Sequence, residues 1–234
     1  MLERLKIKTT VGNHYRKYFF DFDFFEKIDC ELKAYWLGFI YADGCILSKN
    51  KTGEQDISIQ IAKRDIELLE KFKTDIKSTY PIREDKSKNR QNSNWQIQVI
   101  QCLRSQKTVD DLKRLGCAER KSLILEFPTE KQVPFKFVYD FIRGYFDGDG
   151  SITQYKNAFS ISITGTKNFI TTLSTYFIGG SVVQDKRKTN SWYFNLGGNL
   201  QVLQFYHLLY DNKTRYMRRK YDKFQLLVQK YSES

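Results

Sequence analysis

Two aspartates, Asp43 and Asp149, hold matching places in segments that otherwise read as buried helices: YWLGFIYADGCI (Tyr35–Ile46) and FIRGYFDGDGSI (Phe141–Ile152). Each acid ends an aromatic and aliphatic run and precedes a glycine. A helix C-terminus carries partial negative charge, so a carboxylate there is disfavoured by roughly 0.3–1 kcal/mol. Stability does not explain placing it twice. Each segment also carries small residues four apart, Gly38 with Ala42 and Gly144 with Gly148, which lets two helix backbones approach closely. The spacing predicts a helix pair with both carboxylates at one end. Two carboxylates on converging negative helix ends repel unless one is protonated or a cation lies between them. A divalent, oxygen-preferring ion such as Mg²⁺ answers that chemistry, with Asp43 and Asp149 as its ligands. A single Asp-Gly would read as a turn; its duplication on matched helices favours the metal.

The elements that must position these acids are duplicated as well. DISIQIAKRDIELLEKF (Asp56–Phe72) is answered by FSISITGTKNFITTLSTYF (Phe159–Phe177), and NSNWQIQV (Asn92–Val99) by TNSWYFNL (Thr189–Leu196), equating Ile59 with Ile161 and Trp95 with Trp192. Within each half the periodicity reads helix, two strands, helix, two strands, helix. The first helix runs from about Cys30 to Asp43 with Asp29 as N-cap, followed by strands near Cys45–Lys49 and Asp56–Ala62. Ile66, Leu69, Phe72 and Ile76 then share one helical face. Strands near Tyr80–Lys86 and Asn94–Gln101 precede a helix striped by Val109, Leu112 and Leu115 and closed by Gly116. The second half repeats this from about Lys136 to Asp211 and adds the basic helix TRYMRRKYDKFQLLVQK. The expected organisation is an N-terminal extension (1–28), a first repeat (29–125), a linker (126–135) carrying Pro128 and Pro134, and a second repeat (136–234). In the extension, Tyr18, Phe19, Phe22 and Phe25 are expected to pack on the first repeat, with His14, Arg16 and Lys17 reaching the partner.

Composition bounds what such a chain can do. With 234 residues, 41% hydrophobic and 15% aromatic, it builds a real core, and nothing approaches the roughly 18 consecutive apolar residues of a membrane span. The start, MLERLKIKTT, lacks the apolar stretch of a secretory signal, so the expected location is intracellular, with the target of the protein, and not secreted. Cys30, Cys45, Cys102 and Cys117 form no C-x-x-C pair and are expected as core thiols. The two histidines, His14 and His207, are too few and scattered for a zinc site. Lys and Arg number 39 against 27 Asp and Glu, a net charge of +12. That excess points to a polyanionic partner. Its spread along strands and both segment ends, rather than on one amphipathic helix, weighs against a lipid surface.

Both acid-ending segments resemble the LAGLIDADG motif, and two copies in one chain resemble the single-chain LAGLIDADG homing endonucleases over nearly the whole length from Asp29. The resemblance implies an α+β fold of two αββαββα repeats with pseudo-twofold symmetry, whose two antiparallel four-stranded sheets form a saddle over double-stranded DNA. It implies a monomeric enzyme making a double-strand break by Mg²⁺-dependent phosphodiester hydrolysis at a long, imperfectly symmetric target, leaving short 3′ overhangs, in a phage-infected or bacterial cytoplasm or an organelle. The alternative on the same scaffold is an RNA maturase binding intron RNA, or a DNA-binding regulator.

Carried onto this sequence, the motif makes Asp43 and Asp149 the essential metal-binding pair. Tyr41 replaces an acid that Asp147 keeps, while Arg143 and Gly148 are minor departures. The basic residue expected near each acid is Lys121 in AERKSLIL and Lys220 in MRRKYDKF, with Arg120 and Arg219 as rivals. Gln60 matches a polar position that organises water, with Ser162 as its counterpart. Strand alternation sends Ile57, Ile59, Ile61, Trp95, Ile97 and Val99 to the core. Ser58, Gln60, Asn94, Gln96 and Gln98 face the DNA in one half, and Gln154, Ser160, Ser162, Gln184, Lys186, Tyr193 and Asn195 in the other. Lys49, Lys51, Arg83, Lys86, Lys88, Lys156 and Lys188 are placed to meet the DNA, the lysines at phosphates.

Overall fold

The computed structural model describes residues 17–50, 53–85, 97–119, 124–188 and 190–232. The first half contains α1 (Glu31–Asp43), β1 (Gly44–Ile46), β2 (Asp56–Ala62), α2 (Ile66–Asp75), β3 (Arg83–Glu84), β4 (Gln98–Arg104) and α3 (Gln106–Arg114). The second contains α4 (Val138–Asp149), β5 (Gly150–Tyr155), β6 (Ala158–Gly165), α5 (Lys167–Ser174), β7 (Ser181–Gln184), β8 (Trp192–Gly197) and α6 (Asn199–Tyr210), then α7 (Arg218–Ser232). Each half folds its strands into one antiparallel four-stranded sheet, ordered β1-β2-β4-β3 and β5-β6-β8-β7. The expected α+β architecture is therefore present twice.

Local chemistry explains most boundaries. Ser105 accepts from Thr108 N (3.2 Å) and Thr166 from Phe169 N (3.3 Å), capping α3 and α5. Gly116, at φ +99°, closes the end of α3. Helix α1 is buried on every side from Ala34 to Tyr41, as a helix in the middle of a core must be. Its cap differs from expectation: Cys30 is the N-cap, and the Asp29 carboxylate instead reaches Lys33 one turn on (3.1 Å).

The core alternation of β2 is as expected, with Ile57, Ile59 and Ile61 buried beside Val99. Elsewhere several expectations fail. Ile97 precedes β4, lends its carbonyl to Lys63 N, and is 41% exposed. Ser58 is buried because its small side chain lies between Cys45 and Cys102 on the flanking strands. Cys45 is exposed on the outer side of β1 rather than in the core, and Cys30 and Cys102 are half-buried; Cys117 is buried. In the extension, Phe25 is buried and Tyr18 and Phe22 pack against the core as expected, joined by Phe20, Phe24 and Ile28, whereas Phe19 is exposed, its backbone paired with Thr79.

Register also corrects the equivalence between halves. Gly44 lies opposite Ile59 and Gly150 opposite Ile163, so Ile59 answers Ile163 rather than Ile161, and Gln60 answers Thr164 rather than Ser162. By the same ladders Trp192 answers Val99, while Trp95 lies outside the described residues. Alternating apolar strands look alike when slid by two residues, and only the partner strand fixes the register.

The halves meet along α1 and α4 at backbone distance. A Cβ on Gly38 would fall 2.0 Å from the Phe141 carbonyl oxygen, and one on Gly144 would fall 1.9 Å from that of Tyr35. One turn on, a Cβ at Gly148 would fall 2.3 Å from that of Ala42. Gly38→Ala and Gly144→Ala must each push the helices apart and should destabilise the protein by about 1–3 kcal/mol or more. The check is a lowered urea midpoint with an unchanged m-value.

Candidate active site and nucleic-acid interface

The helix contact delivers both acids to one place. Asp43 ends α1 and Asp149 ends α4, and each is followed at once by the edge strand of its own sheet. Asp43 is half-buried and Asp149 exposed. A Cβ at Gly148 would sit 3.1 Å from Asp43 Oδ2, so the Asp43 carboxylate lies against the residue preceding Asp149. Both acids also act on one phenol: burial pushes Tyr145 well above its ordinary pKa, reinforced by the charge and hydrogen bond of Asp149 and by the charge of Asp43. The same hydroxyl donates to the Thr164 carbonyl (2.8 Å), fixing α4 to β6.

Lys220, on α7, completes the cluster. It is buried, and its ammonium donates to the carbonyls of Phe146 (2.7 Å) and Asp147 (2.6 Å), with that of Gly148 at 3.4 Å. It thereby satisfies the last carbonyls of α4, a helix with no basic residue in its own last turn. Burial lowers its pKa to about 8, with Arg219 acting in the same direction and the charges of Asp147, Asp43 and Asp149 opposing.

Asp147 braces this arrangement from inside. Its carboxylate accepts from the hydroxyls of Tyr35 (2.8 Å) and Tyr210 (2.7 Å) and from Met217 N (2.8 Å), and burial raises its pKa despite those bonds and Lys220. The equivalent Tyr41 does the same work with the opposite polarity, donating to the Leu115 carbonyl (2.5 Å) just past α3. Arg143 is no minor departure: it is buried, donates to Asp140 (2.7 Å) and to the carbonyls of Leu209 and Arg215 (3.0 Å each), and lies over the Tyr35 ring. Around it the strap between α6 and α7 and the first turn of α7 are held by ion pairs. Lys213 pairs with Glu31 (2.6 Å) and Asp140 (2.9 Å), Arg215 with Asp75 (2.6 Å), and Arg219 with Asp65 (3.0 Å). Arg219 is thus engaged with Asp65 of the first half.

Other expected site residues scatter over the sheets. Lys121 and its rival Arg120 lie outside the described residues, as do Lys51, Lys86, Lys88, Asn94, Gln96, His14 and Arg16. The Gln60 amide donates to Asp85 (2.7 Å) on the outer face of the first sheet. Lys49, Arg83, Gln154, Lys156, Gln184, Lys186, Lys188 and Asn195 are exposed, whereas Gln98, Ser160, Ser162 and Tyr193 are half-buried. Tyr145, Asp85, Asp185 and Arg187 were not anticipated. A tyrosine within an aromatic run, or an acid within a basic strand, carries no periodic signal of its own.

Among the described residues no group of three or more His, Cys, Asp or Glu could hold a metal. The donor set is two carboxylates, which fits an ion such as Mg²⁺ that keeps several waters and shares its remaining ligands with phosphate.

This geometry is similar to that of proteins already solved. I-LtrWI, a LAGLIDADG homing endonuclease bound to target DNA, superposes with a TM-score of 0.58 at 13% identity, over 87% of this chain and 91% of that one. I-SmaMI, a LAGLIDADG homing endonuclease bound to cleaved DNA, gives 0.55 at 16% identity, over 86% and 90%. I-SmaMI on uncleaved target in the presence of calcium ions gives 0.51 at 16% identity, over 76% and 84%. The chain has the LAGLIDADG homing endonuclease fold. No family model and no curated protein matches its sequence.

The depressed pKa of Lys220 has a signed consequence. Between its folded value of about 8 and its ordinary 10.5, the unfolded chain keeps a proton that the folded LAGLIDADG scaffold has released, so this residue's contribution to stability rises with pH. Relative to Lys220→Met, the wild-type protein should gain up to about 3 kcal/mol across that window. Urea midpoints of the two proteins at matched pH values measure the difference.

Proposed function

We propose that this protein is a site-specific DNA endonuclease that makes a double-strand break by Mg²⁺-dependent phosphodiester hydrolysis. The observation that carries the reading is the convergence of Asp43 and Asp149 at the ends of two helices touching through glycine, each at the start of its own four-stranded sheet. The structural neighbours bound to DNA, and the net charge of +12, support a duplex partner.

Asp43 and Asp149 are the residues that would hold the metal. When bound, it lowers the pKa of water and stabilises charge on the attacking and leaving oxygens. The chain's own groups supply the rest. Lys220, buried with its ammonium on the last carbonyls of α4, brings positive charge to the end of the helix that carries Asp149 and so offsets negative charge that develops there. Lys49, Lys156, Lys186 and Lys188, exposed beyond the strands, hold the backbone by its phosphates, while the outward strand residues read base edges. Because the two halves differ in those residues, the target is long and imperfectly symmetric, cut by a monomer to leave short 3′ overhangs. A mobile intron's insertion site has this character, and the protein acts inside the cell where that DNA lies.

The test is incubation with the duplex that rejoins the sequences flanking its coding region, in Mg²⁺. Wild-type protein should linearise a plasmid carrying that site. Asp43→Asn and Asp149→Asn should each lose roughly 100-fold or more of that rate while still binding the duplex in Ca²⁺. Undiminished cleavage by either variant sinks the proposal. Tighter binding to the intron RNA than to the duplex, without cleavage, favours the maturase.

A further inference from the structure

Acidic side chains are out of place on a surface meant for phosphate, yet besides Asp56, which pairs with Arg104 on the neighbouring strand, each sheet carries one on its outer face at equivalent positions. From the matched pairs Gly44/Ile59 and Gly150/Ile163, the next residues are Gln60, opposite Ile100, and Thr164, opposite Tyr193. Ile100 in turn faces Arg83, and Tyr193 faces Val183. Two residues past Arg83 and Val183, on the same side by strand alternation, stand Asp85 and Asp185.

Both carboxylates are engaged by donors of that same face. Asp85 accepts from Gln60 Nε2 at 2.7 Å. Asp185 accepts from the main-chain N and the Nε of Arg187 (3.0 Å each), from Arg187 Nη2 (3.3 Å) and from the Tyr193 hydroxyl (2.7 Å). Arg187, then Tyr193, hold the Asp185 carboxyl well below the usual carboxylate range. Its side chain is only 3% exposed, whereas that of Arg187 is 81% exposed.

An arginine meant only for phosphate gains nothing from a carboxylate beside it, because the acid cancels part of its attraction. What the acid supplies is a fixed plane. With Nε and one Nη hydrogen committed, the guanidinium presents its remaining N–H groups outward in one orientation, which the O6/N7 edge of guanine requires. Gln60, with one amide hydrogen on Asp85, keeps its other N–H and Oε1 in the pairing that adenine accepts. We infer that Asp185 and Asp85 are positioning residues for base recognition, aiming Arg187 at guanine in one half of the target and Gln60 at adenine in the other. This rests on the site-specific DNA reading above. The Arg187 main-chain bond also makes a tight turn, so hairpin stability alone is the competing explanation.

Selection from a randomised duplex library in Ca²⁺ separates the two, using wild-type protein, Arg187→Lys, Asp185→Asn and Asp85→Ala. Asparagine keeps Oδ1, which accepts from both Arg187 N and Nε, but loses the second acceptor oxygen for Nη2 and Tyr193 and the negative charge, so the turn survives while the guanidinium is left on a single bond that no longer fixes its plane. Arg187→Lys keeps the charge and replaces an exposed side chain. Both should lose about 5- to 150-fold discrimination for guanine at one or two adjacent base pairs in one half-site, leaving the other half and the salt dependence unchanged. Asp85→Ala, which removes the acceptor of Gln60 Nε2, should relax an adenine preference in the opposite half. Unchanged profiles, or a uniform weakening at every position, overturn the inference. A wild-type protein that selects no duplex sequence overturns the site-specific reading itself, and this inference with it.

Discussion

Everything in this molecule depends on two backbones touching. At Gly38 and Gly144 the helices approach so closely that a methyl group on either would occupy the other helix's carbonyl oxygen. That contact sets the distance between Asp43 and Asp149, and because β1 and β5 begin at the next residues, it also sets where each sheet starts. A loss of packing there displaces the acids and both sheets together, since among the described residues no other pair of elements joins the halves as extensively.

The electrostatic cost of the arrangement is met asymmetrically. In the second half a buried ammonium, Lys220, sits on the last carbonyls of α4, and a buried carboxylate, Asp147, anchors the same turn to α1, α6 and the strap. In the first half Tyr41 takes the place of that acid and bonds a carbonyl instead of an amide. A buried charge is tolerated only with partners, and each here has several. The strap and the start of α7, Lys213 to Arg219, add a second tie between halves: Glu31, Asp75 and Asp65 belong to the first, while Lys213 also pairs with Asp140 of the second. Lys220 follows Arg219 directly on α7, so the first half takes part in placing a cation that serves the second.

Much of this was legible in the residues. The paired acids, the small residues four apart and the twofold order of helices and strands identify a duplicated scaffold, because periodicity and motif spacing are local properties of the chain. Ile57, Ile59 and Ile61 announce their buried face by alternation alone. Register was not legible: Ile161 and Ile163 are indistinguishable in an alternating strand, and only the position of Gly150 opposite Ile163 decides between them. Nor could Ser58 be placed, since its burial comes from two neighbouring strands.

The sequence by itself determined which residues repeat, and therefore that two carboxylates meet at a helix pair under a basic surface. Tertiary structure alone decided what surrounds them. That Lys220 reaches the end of α4, that Tyr145 feels both acids, and that Asp85 and Asp185 occupy equivalent places follow from contacts between residues far apart in the chain. Such contacts depend on where the intervening loops bring the chain back, and loop length leaves no periodic mark on the residues it joins.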